Sequence, residues 1–325
     1  MEPPMPKSAD RPAFPFVSRR SFLASAGALG ALSLAGGGKA AFAQAPAGPA
    51  FLRAIPSTAE QIPAIGMGTW ITFNVGGDLK LRQQRLEVMQ TFFQRGGRLI
   101  DSSPMYGSSE EVIGWCLSKS EGSAPPLFSA TKVWTMFQSW GVSQMEKSEK
   151  LWGTKRFDLL QIHNLLDWEN HLETLKEWKA KGRVRYIGIT TSHGRRHRDL
   201  EKILETQPFD FVQFTYNIAD REVEERLLPL AAERKIAVII NRPFQGGSLF
   251  DAVEGKPLPE WAREFDAANW AQFFLKFVVS HPAVTCAIPA TSQVAHMNEN
   301  MGALTGRLPD PEMRQRMIRH FAEIS

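Results

Sequence analysis

Short apolar runs alternate with amphipathic stretches along most of this chain. The runs are Ile65–Thr69, Leu99–Asp101, Leu127–Lys132, Leu159–His163, Tyr186–Thr190, Phe211–Phe214, Ala237–Asn241 and Val284–Ile288, and each predicts a strand. Between them, apolar residues recur at helical spacing. Leu86, Met89, Phe92 and Phe93 make one face, Leu172, Leu175 and Trp178 another, and Val223, Leu227, Leu230 and Ala231 a third. Trp270 to Val279 reads as a more deeply buried helix, and Met313 to Ile324 as a closing C-terminal helix. The longest irregular connection, Phe244 to about Ala262, follows the seventh run and is placed to fold over a ligand.

Strands that alternate with helices pair in parallel through right-handed crossovers. Eight such units predict an α/β fold of the (β/α)8 TIM barrel type, a single domain over residues 51–325. The competing architecture is an open doubly wound sheet. Its Gly-x-Gly-x-x-Gly turn after the first strand is missing, because Gly66-Met67-Gly68 lies within that strand and lacks the third glycine.

Composition changes this picture little. The 325 residues are 43% hydrophobic and 22% charged, ordinary for a globular chain of barrel size. The formal charge of +4 sits mostly at the front, where Lys7, Arg11, Arg19, Arg20 and Lys39 face only Glu2 and Asp10. The body is therefore close to neutral, and a nucleic-acid partner is not expected. The two cysteines, Cys116 and Cys286, fall in a predicted helix and a predicted strand and form no metal-ligand pattern. Buried free thiols are expected, not a disulfide.

The front reads as an address, not as part of the fold. Ser18-Arg19-Arg20-Ser21-Phe22-Leu23 precedes a weakly apolar run from Ala24 to Ala35, too short for a membrane span and interrupted by Gly27 and Gly30. Small residues suited to cleavage follow in Ala41-Phe42-Ala43. The paired arginines look like a twin-arginine export signal over residues 1–43, with a linker over 44–50. The expected consequences are the twin-arginine machinery as a partner, a periplasmic location and no stable membrane insertion after cleavage.

The candidate chemistry lies at the strand ends. In Arg98-Leu99-Ile100-Asp101-Ser102-Ser103-Pro104-Met105-Tyr106-Gly107 an apolar run ends on an aspartate, with a tyrosine just beyond it. Ser108 or Ser109 then stands as the N-cap of a helix. The third run ends at Lys132 and the fourth at His163. A barrel gathers such ends around one mouth. There, an ammonium would stabilise a phenolate and lower a phenol pKa whose reference is about 10, and a carboxylate would keep the ammonium charged. An imidazole beside the phenol could orient a carbonyl oxygen and share its developing charge.

In these residues the chain resembles the aldo-keto reductases from about Ile65 to Asn300. Asp101 and Tyr106 in an Asp-x-x-x-x-Tyr-Gly loop, Lys132 in Thr-Lys-Val and His163 in Leu-Leu-Gln-Ile-His match that family's four catalytic positions. The resemblance also implies cofactor positions. Gln213 corresponds to the glutamine on the nicotinamide carboxamide, and Thr190 and Thr191 stand where the family usually has Ser-Asn. Asn241 and Arg242 replace a stacking aromatic residue, and Gly246 and Gly247 keep the pyrophosphate loop. Thr291, Ser292, Glu299 and Asn300 resemble the adenosine segment, although Ala290 and His296 replace the cations often aimed at a 2′-phosphate. NADP is the expected cofactor, with NAD as the alternative.

Trp70, Trp134 and Trp168 are placed to wall a substrate pocket for an apolar or flat carbonyl compound. The function implied is NAD(P)H-dependent reduction of a small-molecule aldehyde or ketone by hydride transfer, with Tyr106 as general acid. Two rivals are a nucleotide-binding accessory or sensor barrel with slow or no turnover, and a barrel hydrolase or isomerase using Asp101 and His163. The latter leaves Lys132 and Gln213 without a role.

Overall fold

The computed structural model describes residues 50–119 and 127–325. The expected export segment, and the linker up to Pro49, lie outside the described residues. A short antiparallel hairpin opens the described chain, β1 (Leu52–Ala54) with β2 (Gln61–Pro63). Eight parallel strands follow in chain order: β3 (Met67–Gly68), β4 (Leu99–Asp101), β5 (Phe128–Val133), β6 (Phe157–Ile162), β7 (Val184–Thr190), β8 (Phe211–Thr215), β9 (Ala237–Asn241) and β10 (Cys286–Ala287). The last is tied to the first by parallel bridges, Ile65 to Ala287 and Gly68 to Ala290, so the sheet closes into the expected barrel.

The seam explains the Gly-Met-Gly sequence. A Cβ on Gly68 would stand 2.7 Å from the Ile288 carbonyl oxygen, and one on Gly66 would stand 2.9 Å from that of Leu99. The backbones approach too closely there for any side chain.

Between and after the strands lie α1 (Leu79–Gln94), α2 (Ser109–Ser118), α3 (Gln138–Trp152), α4 (Trp168–Ala180), α5 (His197–Thr206), α6 (Leu227–Glu233), α7 (Ser248–Ala252), α8 (Trp270–Val279), α9 (Val294–Gly302) and α10 (Pro311–Ile324). The starts of α1, α8 and α10 are capped by side chains the sequence supplies. Asp78, Asn269 and Asp310 each accept a hydrogen bond from the backbone N–H three residues on, at 3.0, 2.9 and 2.8 Å. As expected, α8 is buried along almost its whole length.

Strand alternation positions the site. Leu99, Leu159 and Phe211 point into the barrel, while Ile100, Leu160 and Val212 face the helices. The next inward positions on those strands are Asp101, Gln161 and Gln213. On β5 the inward sequence is Phe128, Ala130, Lys132. The interior is therefore apolar at the amino ends of the strands and polar at their carboxyl ends. Ile55 and Ile62 of the hairpin segment, both fully buried, join the apolar layer and plug the barrel floor.

Several expectations change. The hairpin was not legible from periodicity, because only three residues per strand pair. The third run shifts to include Val133, and the first and last runs shrink to two paired residues each. His163 is not a strand residue but opens a 3-10 turn in which Asn164 has φ of 53°. The third amphipathic face is broken, with Val223 in a separate turn before α6.

Ser108 does not cap α2 through its side chain. Its hydroxyl donates to Asn74 and accepts from the Gly76 N–H, while Ser109 Oγ donates to the Tyr106 carbonyl. The Phe244–Ala262 connection is not irregular throughout. It contains a turn at Gln245–Gly247 and α7, and Phe250 packs on Phe244 and on Phe274 of α8. Cys116 and Cys286 are both buried and neither is in a disulfide.

If the hairpin plugs the floor, Ile62→Ala should destabilise the barrel by about 2–4 kcal/mol, the cost of emptying a buried isoleucine site. A lowered urea midpoint with an unchanged slope would report this. An unchanged midpoint would show that the plug carries no stability.

Candidate active site

The four expected catalytic side chains converge at the carboxyl ends of β4, β5 and β6. Lys132, fully buried, donates to Asp101 Oδ2 at 2.5 Å and to the Ser102 carbonyl at 2.8 Å. The other carboxylate oxygen of Asp101 accepts from Gln161 Nε2 at 2.8 Å and Gln213 Nε2 at 3.1 Å. A buried ion pair is tolerable only when its remaining donors and acceptors are satisfied, and here they are. Room for Gln161 comes from Gly188 on the neighbouring strand, where a Cβ would meet the glutamine Cγ at 3.0 Å.

Tyr106 stands over this pair. Lys132 Nζ lies 5.1 Å from its ring centroid. Burial pushes the phenol above its ordinary pKa, and the ammonium pulls in the opposite direction without overcoming it. The lowered phenol pKa expected from Lys132 alone therefore does not describe the balance. For Lys132 itself burial opposes the charge, but Asp101 and Tyr106 outweigh burial and raise its pKa. It remains an ammonium.

His163 meets Tyr106 edge to face, with ring centroids 5.8 Å apart. Burial and the Lys132 charge hold its pKa down at about 2, so the imidazole is neutral. Its Nδ1 lies 2.9 Å from Ser103 Oγ. That hydroxyl oxygen also accepts the Met105 N–H at 3.2 Å, and its own hydrogen is free to go to Nδ1. The arrangement favours the tautomer with hydrogen on Nε2. Ser103→Ala should remove that bias, and nitrogen NMR shifts of His163 should move toward a tautomer mixture. Unchanged shifts would mean that another contact sets the ring.

Above these groups opens a cavity of about 400 Å3. Asp101, Tyr106 and His163 line it, and Lys132 lies beneath. Thr190, Thr191, Gln213, Asn241, Arg242, Gly246 and Gly247 line it as well. Their side chains are not equally free. Thr190 Oγ1 accepts the Asn164 N–H at 3.0 Å, and Asn241 spans the Thr191 carbonyl at 2.9 Å and the Thr215 hydroxyl at 2.7 Å. Gln213 is held by Asp101 and by Gln161 Oε1 at 3.2 Å, and Arg242 contacts His193 Nε2 at 2.8 Å. The buried Thr191 hydroxyl has no partner.

Other expected residues are not brought to the cavity wall. Thr291 accepts the Gln293 N–H at 3.1 Å, and the Ser292 carbonyl accepts from Arg85 at 3.2 Å. These two, with Glu299 and Asn300 on α9, sit beyond Ala290, the last residue of the lining. Trp70 lines the cavity. Trp134 stands at the rim with its ring 6.5 Å from that of His163, 40% exposed. Trp168 is elsewhere: it opens α4 and packs against the outer core, because left-handed residues at Asn164, Leu165 and Asp167 turn the chain back.

The sequence reading missed Ser103, Gln161, His193 and Phe250. The first two were within reach of its own rule, since Ser103 lies two residues past Asp101 and Gln161 two residues before His163.

Known proteins share this arrangement of strands. Residues 64–317 match the family model described as Aldo/keto reductase family. The chain is 29% identical over 230 residues to aldo-keto reductase YhdN of Bacillus subtilis (strain 168), covering 65% of this chain and 66% of that protein, just under two thirds of its length. It is 26% identical over 234 residues to the NADH-specific methylglyoxal reductase of Escherichia coli (strain K12), covering 61% and 69%. Among solved structures, an aldo/keto reductase from Klebsiella pneumoniae in complex with NADP and acetate is similar with a TM-score of 0.67 at 24% identity, over 81% of this chain and 93% of that one. The holo form of aldo-keto reductase AKR11C1 from Bacillus halodurans gives 0.69 at 21%, over 85% and 97%. With the family model spanning most of the barrel, the chain belongs to the aldo/keto reductase family.

Proposed function

We propose that this barrel is an NAD(P)H-dependent oxidoreductase that reduces an aldehyde or ketone to an alcohol. The carrying observation is the buried Lys132–Asp101 pair beneath Tyr106, beside a neutral His163, in the wall of one cavity. The E. coli relative is named as a methylglyoxal reductase using NADH, and the K. pneumoniae structure holds NADP, which supports the same class of reaction here.

The cavity's chemistry fits a nicotinamide dinucleotide. The unpartnered Thr191 hydroxyl is a buried polar atom awaiting a ligand, and Gly246 and Gly247, with φ of 73° and 108°, let backbone approach a phosphate closely. Thr190, Thr191, Gln213 and Asn241 would hold the nicotinamide end, with Arg242, Gly246 and Gly247 toward the phosphates. Thr291, Ser292, Glu299 and Asn300 would meet the adenosine end past Ala290. The cofactor, when bound, supplies the hydride.

The chain's own groups handle the proton. His163 Nε2–H orients the carbonyl oxygen toward Tyr106 and shares its developing negative charge. Tyr106 gives its phenolic proton to that oxygen. The ammonium of Lys132 stabilises the phenolate left behind, and Asp101 keeps the ammonium charged and in place. A phenol whose pKa burial has raised holds its proton until that oxygen gains charge.

Tyr106→Phe should lower kcat roughly 10²-fold or more, the scale of general acid catalysis, with dinucleotide binding by fluorescence titration largely kept. Near wild-type turnover in that variant would exclude Tyr106 as the acid.

We infer also that residues 1–43 form a twin-arginine signal, cleaved after Ala43, that delivers the barrel to the periplasm. The supporting pattern is Arg19-Arg20 before Phe22-Leu23, a short apolar run and Ala41-Phe42-Ala43. Replacing Arg19 and Arg20 by lysine should retain the full-length protein in the cytoplasm, as read by cell fractionation. Continued export of that variant would refute a leader of this type.

A further inference from the structure

Tyr106 and Lys132 come from different pieces of the chain, and part of what fixes their separation lies behind the sheet. Lys132 points inward from β5, whereas its neighbour Thr131, also fully buried, points toward the helices. There Thr131 Oγ1 donates to Glu110 Oε1 at 2.6 Å. Glu110 is the second residue of α2, four residues past Tyr106, and only 2% exposed.

Glu110 is anchored to a third element as well. Its Oε2 accepts from Ser148 Oγ at 2.9 Å and its Oε1 from Trp152 Nε1 at 3.2 Å, both on α3. One turn further along α2, a Cβ on Gly114 would stand 1.8 Å from the Leu151 carbonyl oxygen. The two helices therefore touch backbone to backbone, and α2 cannot slide on α3. The short path from Glu110 back to Tyr106 is tied down too. Ser109 donates to the Tyr106 carbonyl from Oγ at 2.8 Å and from its N–H at 3.2 Å, and the Tyr106 N–H donates to the Ser103 carbonyl at 2.9 Å.

Stability alone does not account for a carboxyl in this place. All three of these donors are neutral, so the buried group gives up its hydration without an ion pair in return. Burial pushes the Glu110 carboxyl above the usual carboxylate range, and the three hydrogen bonds and the more distant Lys132 charge oppose this without overcoming it. An apolar side chain would fill the space at lower cost. It would not hold Thr131.

Resting on the reductase reading above, we propose that Glu110, acting through Thr131, is a positioning residue for the reaction. It locks the strand that carries Lys132 to the helix whose entry loop carries Tyr106, and so sets the ammonium at its distance from the phenol. On the inner side Lys132 is held by Asp101 and the Ser102 carbonyl, and on the outer side the same strand is held by α2. Neither Glu110 nor Thr131 lines the cavity.

The test compares Thr131→Val, which deletes the bridge and keeps the volume, with Ser148→Ala, which takes a hydrogen bond from the same carboxyl without touching β5. The assay is single-turnover reduction of propanal by the mature barrel in excess over NADPH or NADH, which keeps slow variants readable. Thr131→Val should slow the reaction roughly tenfold or more, within the range that a small misplacement costs, with dinucleotide Kd by fluorescence titration unchanged. Ser148→Ala should lower the melting point comparably yet stay within about twofold of the wild-type rate, the limit for uncoupled sites. Glu110→Gln still offers Thr131 an oxygen and should also keep its rate within about twofold. In the Tyr106→Phe background, Thr131→Val should slow the residual reaction no further, because the proton donor it positions is gone. An unchanged rate in Thr131→Val, an equal loss in Ser148→Ala, or the same loss in the Tyr106→Phe background would each assign Glu110 to stability and overturn the proposal. A Glu110→Gln rate as low as that of Thr131→Val would assign the effect to charge and overturn it too. Thr131→Ala supplies the same comparison if the valine variant does not fold. A wild-type barrel that reduces no aldehyde with either cofactor overturns the reductase reading, and this inference with it.

Discussion

The structure depends on one buried ion pair, Lys132 with Asp101. Moving either charge out of water costs several kcal/mol, and a pair recovers that cost only if every remaining proton and lone pair finds a partner. Lys132 bonds Asp101 and the Ser102 carbonyl with Tyr106 above it, while Asp101 also receives Gln161 and Gln213. These partners come from β4, β5, β6, β8 and the loop after β4. No pair of adjacent strands could provide them. A closed parallel sheet with inward polar residues in one layer does, and the apolar layer below keeps the pair dry.

The pair also sets the electrical state of what stands on it. Its ammonium, added to burial, keeps His163 neutral, so the imidazole can donate from Nε2 without competing for the proton of Tyr106. Tyr106 feels burial and ammonium in opposition. Ser103 contributes by a different route, since it carries no charge and holds the imidazole through a hydrogen bond at Nδ1. Positioning here is accomplished by neutral groups, and charge is confined to the layer beneath.

The mouth divides by the order of the strands. Trp70, Ile71 and Met105 reach the cavity from the loops after β3 and β4, whereas Thr191, His193 and Arg242 reach it from those after β7 and β9, where Arg242 contacts His193. Since sheet order follows chain order throughout the barrel, a difference between the two halves of the sequence becomes a difference between two sides of one cavity. The connection after β9 joins the sides, with Phe244 and Phe250 in the cavity wall and Phe250 anchored on α8.

What the sequence by itself determined was local or periodic. Eight apolar runs between amphipathic stretches were enough for the barrel, because repetition of one unit leaves few closed topologies. Asp101, Tyr106, Lys132 and His163 were legible because three stand at or beside strand ends and the fourth in the loop just beyond one. Tertiary structure alone decided the rest. The floor plug has strands too short to show a period. Gln161 became a partner of Asp101 only when β6 was laid beside β5 and Gly188 left room. Trp168 was a pocket candidate in the sequence, yet left-handed turns sent it to the outer shell. The pKa of Tyr106 followed burial more than its neighbouring charge, and burial is a property of the whole barrel that no local spacing encodes.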